Sequence, residues 1–241
     1  MQPSCIPFLF NTVPVPRGGL RLNARTLLVS NFKHNKMDTH NIDHTIPEQE
    51  TGAKTDTHHS VKEKTSVEAH NRFTRAKERL QDVNNWDKIC GKVSAVFRLT
   101  DHEGNEVNRL PQKGDHFKIN IPAPGSEAGQ GYDWVLIEEV EDNSNPHAQS
   151  EYFVMRVRPS DNPQKPEHET AHFFKEKATS SFAVQREDTK VTASVHGRNE
   201  LPNTESEGVL DKARNAIVAL GAMVGVSTPQ WKSLVKGVLE D

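Results

Sequence analysis

Cysteine is scarce, with Cys5 and Cys90 the only two in 241 residues. They cannot build a disulfide framework, so a reducing compartment, the cytoplasm, is the expected location. Cys90 has no neighbour that would depress its thiol pKa and reads as a small buried hydrophobe. Also missing is any apolar run approaching the ~18 to 20 residues that cross a bilayer, so no transmembrane segment is expected. Aromatic residues make up 6% and hydrophobic residues 34%, with a mean hydropathy of -0.73. That is too little apolar material to pack the whole chain, and one domain with a polar, loosely structured end is expected.

Acidic residues are absent from positions 1 to 36, which hold Arg17, Arg21, Arg25, Lys33 and Lys36. Two readings fit this segment: a transit-like leader, or an upstream extension ahead of a true start at Met37. Five of the 30 basic residues and none of the 33 acidic ones lie there, which leaves the remainder at -8. An acidic body argues against non-specific binding to nucleic acid or to an anionic membrane. Residues 37 to 59 are rich in Thr, His, Asp and Glu and almost free of large apolar side chains. They read as a disordered polar arm, with a weak first strand at Ser60 to Lys64 and a folded domain over 60 to 241.

What is present is organised around Ala178 to Val224. Alternation over Thr179 to Arg186 and Lys190 to His196, joined by Glu187-Asp188-Thr189, predicts a hairpin that closes the sheet. Leu210, Ala213, Ile217, Leu220 and Val224 then recur at helical spacing. Upstream, Thr65-Ser66-Val67-Glu68 is a capping box opening a helix with Ala69, Phe73, Ala76 and Leu80 on one face. A bend leads to a shorter helix containing Trp86 and Ile89, which Gly91 ends. Strands are predicted at Lys92 to Thr100, Phe117 to Ile121, Tyr132 to Glu141 and Glu151 to Pro159. Ser227-Thr228-Pro229 starts a last helix with Trp231, Leu234, Val235 and Val238 on its apolar face.

Several motifs carry possible chemistry. His168-Glu169-Thr170-Ala171-His172 matches the zinc motif H-E-x-x-H, but Pro163 and Pro166 oppose the helix that it needs. The scattered His40, His44, His58 and His59 lack accompanying cysteines and read as solvated. Gly125, Gly129 and Gly131 do not have phosphate-loop spacing and read as a rim loop. Glu138, Arg156, Arg158 and His196 interrupt the strands, and any of them that points inward needs a partner or a ligand.

The element order, with the Asn85-Trp86-Asp87-Lys88 segment near the start and Thr189 to Val195 as closing strand before a helix, resembles the START-like helix-grip superfamily (SRPBCC), which includes polyketide cyclases and lipid-transfer domains. The resemblance covers about residues 60 to 225 and implies an α+β fold: a curved antiparallel sheet wrapped around a C-terminal helix, with two short helices near the start. It implies a cavity and no particular chemistry, since the superfamily has no shared catalytic motif.

The expected function is accordingly a binding module for a small apolar or amphipathic ligand between the sheet and the 209 to 225 helix, with no cofactor. Phe97, Trp134, Phe153, Met155, Phe182, Ile217 and Met223 are the expected wall, and Arg156 or His196 the polar anchor. Were the chain an enzyme, His196, His172 or Glu138 would do acid-base work. The alternatives are a scaffold domain whose cavity is filled by side chains and, more remotely, a zinc hydrolase using His168, Glu169 and His172.

Overall fold

Strand alternation and two helical periods are realised together in the computed structural model, which describes residues 42–90, 95–121, 126, 128–165, 170–203 and 228–240. Seven strands form one antiparallel sheet: β1 Ala53–Lys62, β2 Val96–Thr100, β3 His116–Asn120, β4 Asp133–Asn143, β5 Ser150–Pro159, β6 Thr179–Glu187 and β7 Lys190–Glu200. Their order is β1-β7-β6-β5-β4-β3-β2. Strands β2 to β7 are a meander, and β1 returns to pair with the last of them.

The excursion between β1 and β2 holds α1 Ser66–Gln81 and α2 Trp86–Cys90. Thr65 caps α1 as the sequence predicts, its hydroxyl accepting from the Glu68 amide while Glu68 accepts from the Thr65 amide. The same four residues, Ala69, Phe73, Ala76 and Leu80, are buried. A third helix, α3 Thr228–Gly237, packs on α2, β1 and β7. This order of strands and helices is an α+β architecture, an open antiparallel sheet with two helices inserted after its first strand and a third helix following its last.

One face of the sheet holds the core. Phe97, Leu99, Phe117, Val135, Ile137, Phe153, Met155, Val157, Phe182, Val184, Val191, Ala193 and Val195 pack there against α1, α2 and the end of the chain. Trp86 fills the centre, with its indole N–H donating to the Leu80 carbonyl at 3.1 Å. Register shifts at Ile137/Glu139 and Ala53/Thr55 interrupt the ladders. Such bulges bend a sheet and re-aim the side chains that follow.

The structure departs from the sequence reading in two places. First, the strand expected at Ser60 to Lys64 starts earlier, at Ala53, so that β1 takes in the end of the segment read as a polar arm and pairs with β7 from Ala53 to Lys62. A 3-10 turn, Ile42–Thr45, precedes it, and Ile42 packs on Tyr152, Val154 and Ala183 on the outer face. Polar side chains on both faces hide this strand, because an edge strand takes its stability from ladder hydrogen bonds as well as from apolar burial. Second, the β6–β7 hairpin does not end the sheet, since β1 lies outside it. Residues 1 to 36 and the 209 to 225 helix expected as the gripped element fall outside the described residues. Among the described residues, no helix is long and apolar enough to cross a membrane.

Candidate functional site

The expected ligand wall is divided between the two faces. Phe97, Phe153, Met155 and Phe182 converge on the inner face. Phe97 and Phe182 lie 5.2 and 4.9 Å from Trp86, and 6.1 and 5.3 Å from Trp231, between ring centroids. All four side chains are at most 3% exposed.

Trp134, Arg156 and His196 point to the outer face. Trp134 sits opposite Lys118, and its indole N–H donates to the Gly129 carbonyl at 3.3 Å. Gly131, with φ 92°, turns the same loop back toward Ser126, so the described glycines there shape a turn that holds Trp134. Arg156 pairs with Glu138 at 3.2 Å and Glu139 at 2.7 Å, and donates to the Thr45 carbonyl at 2.8 Å. Arg158 also pairs with Glu138. His196 lies between Asp56, at 2.6 Å, and the Ser194 hydroxyl, at 3.0 Å. Burial pushes the Asp56 carboxyl up, but hydrogen bonds from His196 and Arg198 outweigh it and leave the group below its ordinary range. Ile217 and Met223 lie outside the described residues.

The zinc motif is described only from Thr170 onward. His172 is buried and stacked on Phe173 at 4.1 Å, and its Nδ1 accepts the Phe174 amide at 3.0 Å, which occupies that nitrogen. Among the described residues, no group of three potential metal ligands occurs. Cys90 is partly buried, and desolvation, with Asp87 nearby, pushes its thiol up to about 11. A cleft of about 490 Å³ opens beside Arg79, Asp82, Lys88 and Glu240. Its wall is charged, unlike that of a pocket for an apolar ligand.

Glu151 and Glu200 face inward, and neither was singled out from the sequence. Glu151 is fully buried, accepts from Arg186 at 2.5 Å, from His70 at 2.7 Å and from the Asn145 amide at 2.8 Å, and so ties α1 to the β5–β6 ladder. Arg186 is itself 1% exposed and also donates to the Ala148 and Asp188 carbonyls. This is a closed structural cluster.

Glu200 is built differently. Val191, Ala193 and Val195 face the core, and Gly197 follows them on the same side. Strict alternation would send residue 200 to the outer face with His196 and Arg198. The ladder with β1 instead matches Thr55 to Gly197 and Ala53 to Glu200, an extra residue on β7. Asn199 absorbs it in the left-handed region, at φ 57°. This strained residue is held by the preceding strap: its Oδ1 accepts from the Glu50 and Thr51 amides, its Nδ2 donates to the Glu48 carbonyl, and its amide donates to Gln49.

The carboxyl of Glu200 is thereby folded back over Gly197. A Cβ at 197 would collide with Glu200 Oε1 and with Thr55 Oγ1, so only glycine leaves the recess that Glu200 occupies. Thr55 donates to Oε1 at 3.2 Å. Burial raises this carboxyl to about 7, against the Thr55 bond and Arg198, and Asp56 adds to the rise. The left-handed Asn199 is thus adjacent in sequence to a carboxyl that burial pushes up. In the sequence, the only trace is a glycine inside a strand, which marks a bulge or a close approach.

No family model matches the chain, and no curated protein does. Solved structures do match. Norcoclaurine synthase from Thalictrum flavum aligns at 7% identity over 78% of this chain and 87% of that one, with a TM-score of 0.37. Ara h 8.0201 aligns at 10% identity over 78% and 100%, with a TM-score of 0.32. Ginseng major latex-like protein 151 from Panax ginseng aligns at 14% identity over 71% and 97%, with a TM-score of 0.28.

Proposed function

We propose that the chain is a binding module for a small apolar or amphipathic ligand, taken up at the Gly197 end of the inner face. The observation that carries this reading is Glu200: a protonatable carboxyl on an apolar face, over a glycine recess, with Thr55 as its side-chain partner. Pockets for such ligands are mostly apolar with a few placed polar groups, and a buried polar group needs a partner. In this reading Arg156 and His196 are structural, because each is engaged on the outer face. The acidic body supports a partner that is not nucleic acid, and the low cysteine content supports a cytoplasmic setting.

The alternative, a scaffold domain with a filled core, is favoured by the packing of Trp86, Phe97, Phe182 and Trp231 in direct ring contact. That packing confines any ligand to the rim of the inner face. Native mass spectrometry of the full chain after mild purification separates the two readings. A co-purified mass that dissociates on activation is expected of the binding module, and a clean apo mass is expected of the scaffold.

A further inference from the structure

Building on the binding reading, we infer that Glu200 sets the specificity of the site: its carboxyl, folded over the Gly197 recess, donates a hydrogen bond to the ligand, which selects neutral amphipathic molecules carrying an acceptor oxygen such as a ketone or ester. The geometry assigns the atoms. Oε1 already accepts from the Thr55 hydroxyl, so Oε2 is the oxygen that carries the proton and offers it. The recess is fixed from both sides, by the missing side chain at 197 and by the Asn199 bulge tied to residues 48 to 51. Such fixed placement spares the ligand the cost of ordering the group that it meets.

Among the described residues, the surrounding charges leave Glu200 without a cation on its own face. Arg198 acts from the outer face, where it is bound to Asp56 at 2.8 Å, and Asp56 opposes it. From β1 the facing group is Thr55, and from β6 it is Ser180, cross-strand from Gly197; both are neutral. His59, farther along the inner side of β1, is 3.6 Å from Glu240. Glu48 and Glu50 pass on the strap, with their backbones bound to Asn199. Desolvation therefore dominates, and the group titrates near neutrality, at about 7. Ionisation removes the donor and places a charge against the ligand, so affinity falls as pH rises.

The test uses two neutral fluorescent probes on the full chain: 6-propionyl-2-dimethylaminonaphthalene, which has a ketone oxygen, and N-phenyl-1-naphthylamine, which has no acceptor oxygen. For the ketone probe, Kd is expected to rise about tenfold or more between about pH 6 and about pH 8.5, following loss of the protonated carboxyl. In Glu200→Gln the amide still donates, so ketone affinity should match the wild type at the acid end and stay flat. Glu200→Leu should lose the ketone preference and keep the naphthylamine. Failure of either probe to bind any of these proteins at any pH overturns the binding reading itself. Binding with a flat wild-type profile, or a profile that persists in a folded Glu200→Gln, overturns only the role of Glu200.

Discussion

The space that a side chain at position 197 would fill is taken by the carboxyl of Glu200: a Cβ on Gly197 would collide with Oε1 and with the Thr55 hydroxyl. Gly197→Ala must therefore push aside both the Glu200 carboxyl and the Thr55 hydroxyl. A loss of about 1 to 3 kcal/mol is expected for this overpacking, measured by urea unfolding at pH 6. An unchanged midpoint would show that the recess yields without cost.

Glu200 also gives stability a definite pH dependence. Its folded pKa is about 7 against an ordinary 4.5, so the folded state keeps a proton that the unfolded state releases across that window. The contribution of this group to stability falls as pH rises from 4.5 to 7 and is constant above. Glu200→Gln, which does not titrate, should gain on the wild type by on the order of 3 kcal/mol over that interval. Parallel stability curves for the two proteins would contradict the assignment.

Arg186 and Glu151 form a buried pair at 2.5 Å, with both side chains at most 1% exposed. Removing one partner strands the other charge. Arg186→Met is expected to cost about 3 to 5 kcal/mol in chemical denaturation, far more than an exposed ion pair such as Lys54–Asp56 would.

Trp86 is the centre of the aromatic cluster, within 5.6 Å of Phe97, Phe117 and Phe182 by ring centroid. Trp86→Ala is expected to lose about 3 to 5 kcal/mol, measured by the urea midpoint together with near-ultraviolet dichroism of the remaining rings. A loss below about 1 kcal/mol would mean that the core is loosely filled there.

How far the sequence could be read follows from where its signals are local. The capping box at Thr65 and the period of Ala69, Phe73, Ala76 and Leu80 involve neighbours within a turn or two, and α1 is found as predicted. Strand β1 depends on β7, more than 120 residues away along the chain, and its Thr, His and Asp side chains carry no apolar alternation. Arg156 and His196 could have been assigned to the outer face by parity with Met155 and Val195. Trp134 could not, because the strand is apolar on both sides at that point. Glu200 was hidden by the one-residue slip at Asn199, which reverses the face of everything beyond it. No local pattern announces such a slip except the glycine two residues before it.

The most direct test of a ligand site at the Glu200 end of the inner face is a set of two-dimensional 1H–15N spectra of the full chain, recorded while the ketone probe is titrated in at about pH 6. The largest shift changes should fall on the amides of Thr55, Gly197 and Glu200, with little effect at Tyr152 and His196, whose side chains lie on the outer face. Changes centred on the outer face, or none at saturating probe, would contradict the account.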